Sequence, residues 1–335
     1  TLLYATPLII GGLGLAFGFR AGLFNIGGKG QVIFGALAAV WVGFNLHLPP
    51  VLHTVVALLA AVVAGALYAG IAGLLKARTG ANEVIVTIML NSIAALTLGY
   101  VLAQKSWQVP GSNQPQTPDV ADTAAFLPIL PSPFKLHAGI IVAFLAVVVF
   151  WWILDRSTLG FQVRAVGANP AAARTAGISV EKITTITMMI SGAFMGLVGA
   201  NEALGTVGYV SRDIAGSLGF DAITVALLGR NKPLGTMFAG LLFGAFKAGG
   251  YTMQPKGVPI DMILILQSVI VLLIAAPALV RWLFRLPKES EKSLRAELAT
   301  LGIDDEAPAL VTPTTSKVAE TAVDATAADA EGESR

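Results

Sequence analysis

VLHTVVALLAAVVAGALYAGIAGLL, residues 51–75, runs for 25 positions without one Asp, Glu, Lys or Arg. A helix needs about 20 apolar residues to cross the hydrocarbon core of a bilayer, so this stretch alone reads as a membrane span. Similar apolar segments lie on both sides of it: Leu2–Phe19, Val32–Leu46, Val84–Ala103, Leu136–Leu154, Ile183–Leu204, Leu218–Leu228, Leu234–Gly250 and Ile260–Val280. Val32–Leu46 and Leu218–Leu228 are short enough to be broken or re-entrant helices. The composition agrees. Hydrophobic residues make up 55%, charged residues 13%, and the mean hydropathy is +0.74; soluble domains carry about 25% charge. The fold class is therefore an all-α integral membrane protein of about nine transmembrane or re-entrant helices.

Basic residues give the expected orientation, since cytoplasmic loops are enriched in Lys and Arg. Arg20 and Lys29, Lys76 and Arg78, Arg156, Arg164, Arg174 and Lys182, Arg230 and Lys232, and Arg281, Arg285 and Lys288 fall in one set of loops. The alternate set, His47–Pro50, Gln104–Lys135, Val207–Ser217 and Tyr251–Pro259, holds only Lys105, Lys135, Arg212 and Lys256. This places the C-terminus in the cytoplasm and Thr1 outside. A cytoplasmic N-terminus then requires one further upstream helix, ten in all. Residues 1–287 form the membrane domain, with an external loop at 104–135 and a cytoplasmic loop at 155–182. Residues 288–335 read as a short helix near Glu289–Leu301, then a disordered acidic tail.

A faint internal repeat relates Gly80–Ile93 to Gly257–Val269, in opposite directions by the loop charges; inverted repeats are a transporter signature. No cysteine is present, and His47, His53 and His137 are scattered without metal-ligand spacing, so neither a disulfide nor a metal or other cofactor is expected.

Three passages carry chemistry. In Phe24-Asn25-Ile26-Gly27-Gly28-Lys29-Gly30-Gln31 the glycines oppose a helix, each costing about 1 kcal/mol relative to Ala. It reads either as an ordinary glycine-rich turn or as an unwound segment, tolerated in a membrane only inside protein or beside water. Asn25 and Gln31 then serve its backbone or face a solute. A phosphate loop is excluded, because Leu23 and Gly30 stand where that motif needs Gly and Ser or Thr. In Asn82–Asn91, Glu83 suits a helix start. Asn91, two turns deeper, needs a partner within the bundle or a polar cavity. In the basic loop, Asn169, Pro170 and Gly177 are the N-cap, first residue and C′ of a short helix, either a plain loop helix or a docking element.

Together these passages resemble the permease subunits of bacterial ABC importers for simple sugars, branched-chain amino acids and nucleosides, and within that branch the nucleoside permeases. The likeness rests on Phe24–Gln31, Asn82–Asn91 and Val166-Gly167-Ala168-Asn169-Pro170, and extends from Thr1 to about Pro287. Lys29 departs from the family's usual Glu. The resemblance implies about ten helices, a second permease subunit (identical or paralogous), two cytoplasmic ABC ATPases and an external solute-binding lipoprotein, with no nucleic acid involved. It makes Asn169–Gly177 a coupling helix, with Arg164, Gly167, Asn169, Pro170, Arg174 and Gly177 as coupling residues.

Candidate pathway residues are Asn25, Gln31, Glu83, Asn91, Glu202, Asp221 and Gln267, since polar groups in hydrocarbon are expensive unless paired or wet. Phe24, Phe220 and Phe243 are either packing or stacking platforms. Gly192–Gly196 and Gly240–Gly244 have the small-residue spacing of close helix contacts. The expected function is ATP-driven alternating-access translocation of a small polar solute, a nucleoside first and a sugar next, with ATP hydrolysis left to the partner. An ion-coupled carrier using Glu202 or Asp221 is the rival. An enzyme would need clustered acids or His, which are missing.

Overall fold

The computed structural model describes residues 1–256 apart from 110, 112–113 and 130–135, together with 262, 265–266, 268–270 and 272. Gln267, most of Ile260–Val280 and of the second repeat copy, and the whole segment 288–335 lie outside the described residues. Thr1–Ala276 forms one compact unit, which holds every element below.

Ten α-helices occur among the described residues: α1 Leu2–Arg20, α2 Gly28–Asn45, α3 Leu52–Thr79, α4 Glu83–Ala103, α5 Gly139–Trp151, α6 Thr158–Ala168, α7 Pro170–Thr175, α8 Val180–Asn201, α9 Leu218–Leu228 and α10 Pro233–Met253. Five-residue π turns, Trp152–Arg156 and Glu202–Thr206, extend α5 and α8. No strand is present among the described residues, only two isolated bridges. Five helices, with their π extensions, are long and apolar enough to cross a membrane: α1, α3, α4, α5 and α8. The fold is that of a multi-pass membrane protein.

Helix α1 is the central post. It is buried almost from end to end and packs against α5, α8, α9 and α10. Phe17 meets Phe150 of α5 edge-on at 5.9 Å, and Phe150 in turn meets Phe194 of α8. Small residues set the spacing elsewhere. Any side chain at Gly192 or Gly196 would strike the backbone of Gly65 or Ala61 in α3, and one at Gly240 or Gly244 would strike Ile9 or Ala5 in α1. Helices without side chains at a crossing gain van der Waals contact that lipid alone does not supply. Gly192–Gly196 and Gly240–Gly244 are contact stripes, as their spacing predicts.

Loops gather at two ends. At one, here the basic end, the Arg20 side chain donates to the carbonyl of Asn231, and the joint after α1 touches Gly167. At the opposite end the stretches 116–126 and 204–211 are tied by backbone bonds, Thr117 to Val210, Val120 to Gly208 and Phe126 to Leu204. The two long loops that sequence separates thus form one surface. Beneath it His137 is buried and stacked on Phe126 at 5.4 Å, and burial holds its pKa below the usual imidazole value.

Lys29 is not in a basic loop. It stands in the first turn of α2, whose start at Gly28 touches Met195 of α8. Met195 also lies beside Gly11, the midpoint of α1. The glycine run stops the helix at Arg20, and the chain then re-enters the bundle as an extended segment. Hydropathy alone cannot distinguish that path from a turn at the surface.

Candidate functional site

The unwound reading of Phe24–Gln31 holds for Phe24–Gly27 only, because α2 already begins at Gly28 and makes Gly28–Gln31 helical. Between α1 and α2 the chain leaves backbone groups without helical partners, and buried groups of that kind must be paired. One face of α4 supplies the partners. Glu83 Oε1 accepts from Phe24 N at 3.4 Å, Thr87 Oγ1 accepts from Ile26 N at 3.3 Å, and Asn91 Oδ1 accepts from Gly30 N at 2.8 Å. Asn91 Nδ2 donates to Ile26 O at 2.9 Å. Residues four apart on a helix stand one above another, so Glu83, Thr87 and Asn91 form a ladder. Two motifs some 60 residues apart in the chain are one structure in space.

Asn25 and Gln31 close the segment from within. Each amide donates to the other's oxygen at 3.0 Å, Asn25 Nδ2 also reaches Ser191 Oγ, and Asn25 Oδ1 accepts from Gly27 N. Both side chains are buried, at 1% and 2% exposure. Asn25 thus serves this backbone through Gly27 N, and Gln31 holds Asn25 in place. Glu83 is anchored at the basic end by Lys76, at 2.6 Å.

A second polar group sits in the other half of the bundle. Asp221, in the first turn of α9, pairs with Lys247 of α10 at 2.6 Å, and Ser217 Oγ donates to the same Asp221 oxygen at 2.7 Å. Glu202, in the π turn after α8, lies within electrostatic reach of Lys247 and Tyr4, and Tyr4 stacks on Tyr251 at 4.9 Å. Lys247 thus joins two residues that sequence reasoning singled out separately. A Lys inside the apolar segment Leu234–Gly250 was the signal that would have found it.

Between these groups the starts of α2 and α9 meet at mid-depth. Gly219 Cα lies against Gly28, and a side chain there would strike Lys29 N. Half-buried Lys29 has no ion pair among the described residues. Phe220, the residue after Gly219, is 56% exposed and Phe24 is also exposed, whereas Phe243 is fully buried against Leu8 and Val225. Phe243 is packing.

The short helix of the basic loop forms as its caps dictate. Asn169 Oδ1 accepts from Ala171 N and Ala172 N, Pro170 opens α7, and Gly177 adopts φ +82°. Ala173 is buried, whereas Ala171, Ala172 and Arg174 are exposed. Arg174 pairs with Glu181 at 2.6 Å. Arg164 donates to the Leu154 carbonyl and lies 3.5 Å from Asp155, securing α6 to the end of α5. A side chain at Gly167 would collide with the Arg20 carbonyl. The loop therefore bears directly on the joint from which Phe24–Gly27 departs.

The family described as branched-chain amino acid transport system / permease component matches residues 1–275. The chain is 43% identical to the guanosine ABC transporter permease protein NupP of Bacillus subtilis (strain 168), over 84% of this chain and 82% of that relative. It is 37% identical to the glucose ABC transporter permease protein TsgB13 of Haloferax volcanii, over 81% and 74%. It is 33% identical to the nucleoside ABC transporter permease protein NupB of Lactococcus lactis subsp. cremoris (strain MG1363), over 90% and 84%. No solved structure matches.

Proposed function

The chain belongs to the branched-chain amino acid transport system / permease component family of ABC permeases, and from that premise we propose that it translocates a nucleoside by ATP-driven alternating access. The names of the guanosine and nucleoside relatives support that solute, and the glucose relative makes a sugar the next choice. The observation that carries the mechanism is the contact of Gly167 with the joint at Arg20–Ala21. Partner ATPases at the basic end, the cytoplasmic one in this reading, press on α7 through exposed Ala171, Ala172 and Arg174. The push passes through Gly167 to Phe24–Gly27 and the α4 ladder. The bundle then changes its packing about the mid-depth meeting of α2 and α9.

Solute reaches that point from a binding lipoprotein seated on the joined surface of 116–126 and 204–211. Exposed Phe220 offers a face for a nucleobase, and Lys29 a charge toward its electron-rich edge. Glu83 and Asn91 act in the pathway by holding its backbone, and Asp221 and Glu202 by setting the field around Lys247. A second permease, identical or paralogous, completes the wall. The chain itself carries out no covalent chemistry.

Reconstitution with the ATPases and the lipoprotein tests this. Uptake of guanosine or another nucleoside should require all components and ATP. Ala172→Glu should leave ATP hydrolysis intact while transport falls. Uptake by this chain alone, driven by an ion gradient, would overturn the ABC mechanism. A system that transports only a sugar would overturn the solute.

A further inference from the structure

A groove of about 320 Å³ lies between the first turns of α3 and α5 at the end opposite the basic loops. Val51, Val55 and Leu58 line it from the start of α3, Ile141 and Val142 from α5, and Leu127 from the loop between them. Val51, Val55, Leu127 and Ile141 are exposed, so the groove opens sideways from the bundle, onto the surface that a multi-pass protein turns to lipid. We propose that it is a binding site for one phospholipid of that leaflet, the outer one in the orientation adopted above. An acyl chain lies in the groove, and a cationic headgroup amine sits at its rim.

The chemistry of the lining selects this occupant. Its lining is apolar except for three polar side chains, Thr54, Asp122 and Thr123. Two of the three polar side chains there are already occupied: Thr123 Oγ1 is bonded to His53 Nδ1 at 2.8 Å, and Thr54 Oγ1 donates to Thr123 O at 3.4 Å. A nucleoside or sugar requires converging donors and acceptors, which these walls do not offer. An alkyl chain is narrow, apolar and available at this depth.

The third polar side chain is Asp122, which has no ion pair among the described residues. A carboxylate beside the headgroup layer favours an ethanolamine ammonium over the uncharged glycerol of phosphatidylglycerol. The site is also tied to the loop surface. The segment that lines the groove includes Phe126, whose N–H is bonded to Leu204 O in the π turn. A chain seated here supports the loop on which a partner would land.

The whole chain, purified in mild detergent after equilibration with vesicles of phosphatidylethanolamine and phosphatidylglycerol, provides the test by native mass spectrometry. One phospholipid should remain bound, with ethanolamine favoured about two- to fivefold, the scale of an exposed ion pair. Val55→Trp with Ile141→Trp should fill the groove and abolish retention, whereas Met89→Trp on the exposed face of α4 should not. Asp122→Asn should remove the headgroup preference and keep the lipid. Because the protein lacks cysteine, Val55→Cys can also be blocked with a bulky maleimide after folding, with the same expected loss. Equal retention in the filled and blocked proteins would overturn the site. So would protection of Val55→Cys by guanosine, which would make the groove a solute site.

Discussion

The Phe24–Gly27 segment and the surroundings of the π turn after α8 handle buried polarity differently. Around Phe24–Gly27 the described polar side chains of the Asn25–Gln31 pair and of Glu83 and Asn91 all have bonds, and the ladder on α4 matches the broken backbone rung by rung. Around the π turn after α8, His137 Nε2 is buried without a partner, and Asn201, 1% exposed, has only its neighbour Glu202 as a side-chain partner. A fully satisfied network fixes one arrangement, whereas unpaired buried groups raise the energy of the state that contains them. The Phe24–Gly27 segment is thus built as a rigid lever. The surroundings of the π turn are built to exchange their partners, as a gate near a loop surface must.

The strongest way to break that contrast is to remove the Lys247–Asp221 ion pair, the one that lies toward the π turn among the described residues. Lys247→Met strands the Asp221 carboxylate, whose side chain is only 8% exposed. Breaking a buried pair from one side costs about 3–5 kcal/mol, which thermal unfolding in detergent should register. Lys247→Met with Asp221→Leu should recover most of the loss, since replacing both partners by apolar groups is often nearly neutral. If the single variant is as stable as the parent, the pair is solvated and the contrast fails.

Asn91→Leu attacks the lever. It leaves Ile26 O and Gly30 N without the bonds that Asn91 provides, a loss of about 1–3 kcal/mol for each stranded group. The same melting measurement checks it, together with hydrogen exchange at Gly30, which should quicken. Unchanged exchange would show that α2 holds its own start without α4.

What was legible in sequence follows from how local each signal is. The α7 helix could be read residue by residue, because a cap, a proline and a glycine act within one turn. The membrane class followed from run length alone. Asn91 and Glu83 were visible as polar residues in apolar surroundings, but their partners were not, since the bonds to Phe24, Ile26 and Gly30 join positions some 60 residues apart. Lys29 was misplaced for the same reason: a glycine run says where a helix stops, not whether the chain then turns back or re-enters. Thr87 and Ser191 escaped notice because hydroxyls in apolar helices usually bond to their own backbone, as Thr87 also does.

The smallest effect concerns His137 and separates the two regions by pH. Gly139 N donates to Nδ1 at 3.2 Å, so in the neutral ring the proton is on Nε2, the atom without a partner. Charging the ring would put a proton on Nδ1 and cost the Gly139 bond, in a site where burial already disfavours the imidazolium. The folded pKa is therefore below the ordinary value of about 6.5. Above about 6.5 neither the closed nor the opened loop is protonated, and the closed loop keeps its full stability. As pH falls below that value, the opened loop gains a proton that the closed one refuses, so opening becomes easier until the folded pKa is passed. Limited proteolysis between residues 114 and 129 should quicken from pH 7.5 to pH 5.5, and His137→Gln should flatten the profile. Cleavage near Phe24–Gly27 should not follow the same curve. If it does, the two regions open together, and the lever is no more rigid than the gate.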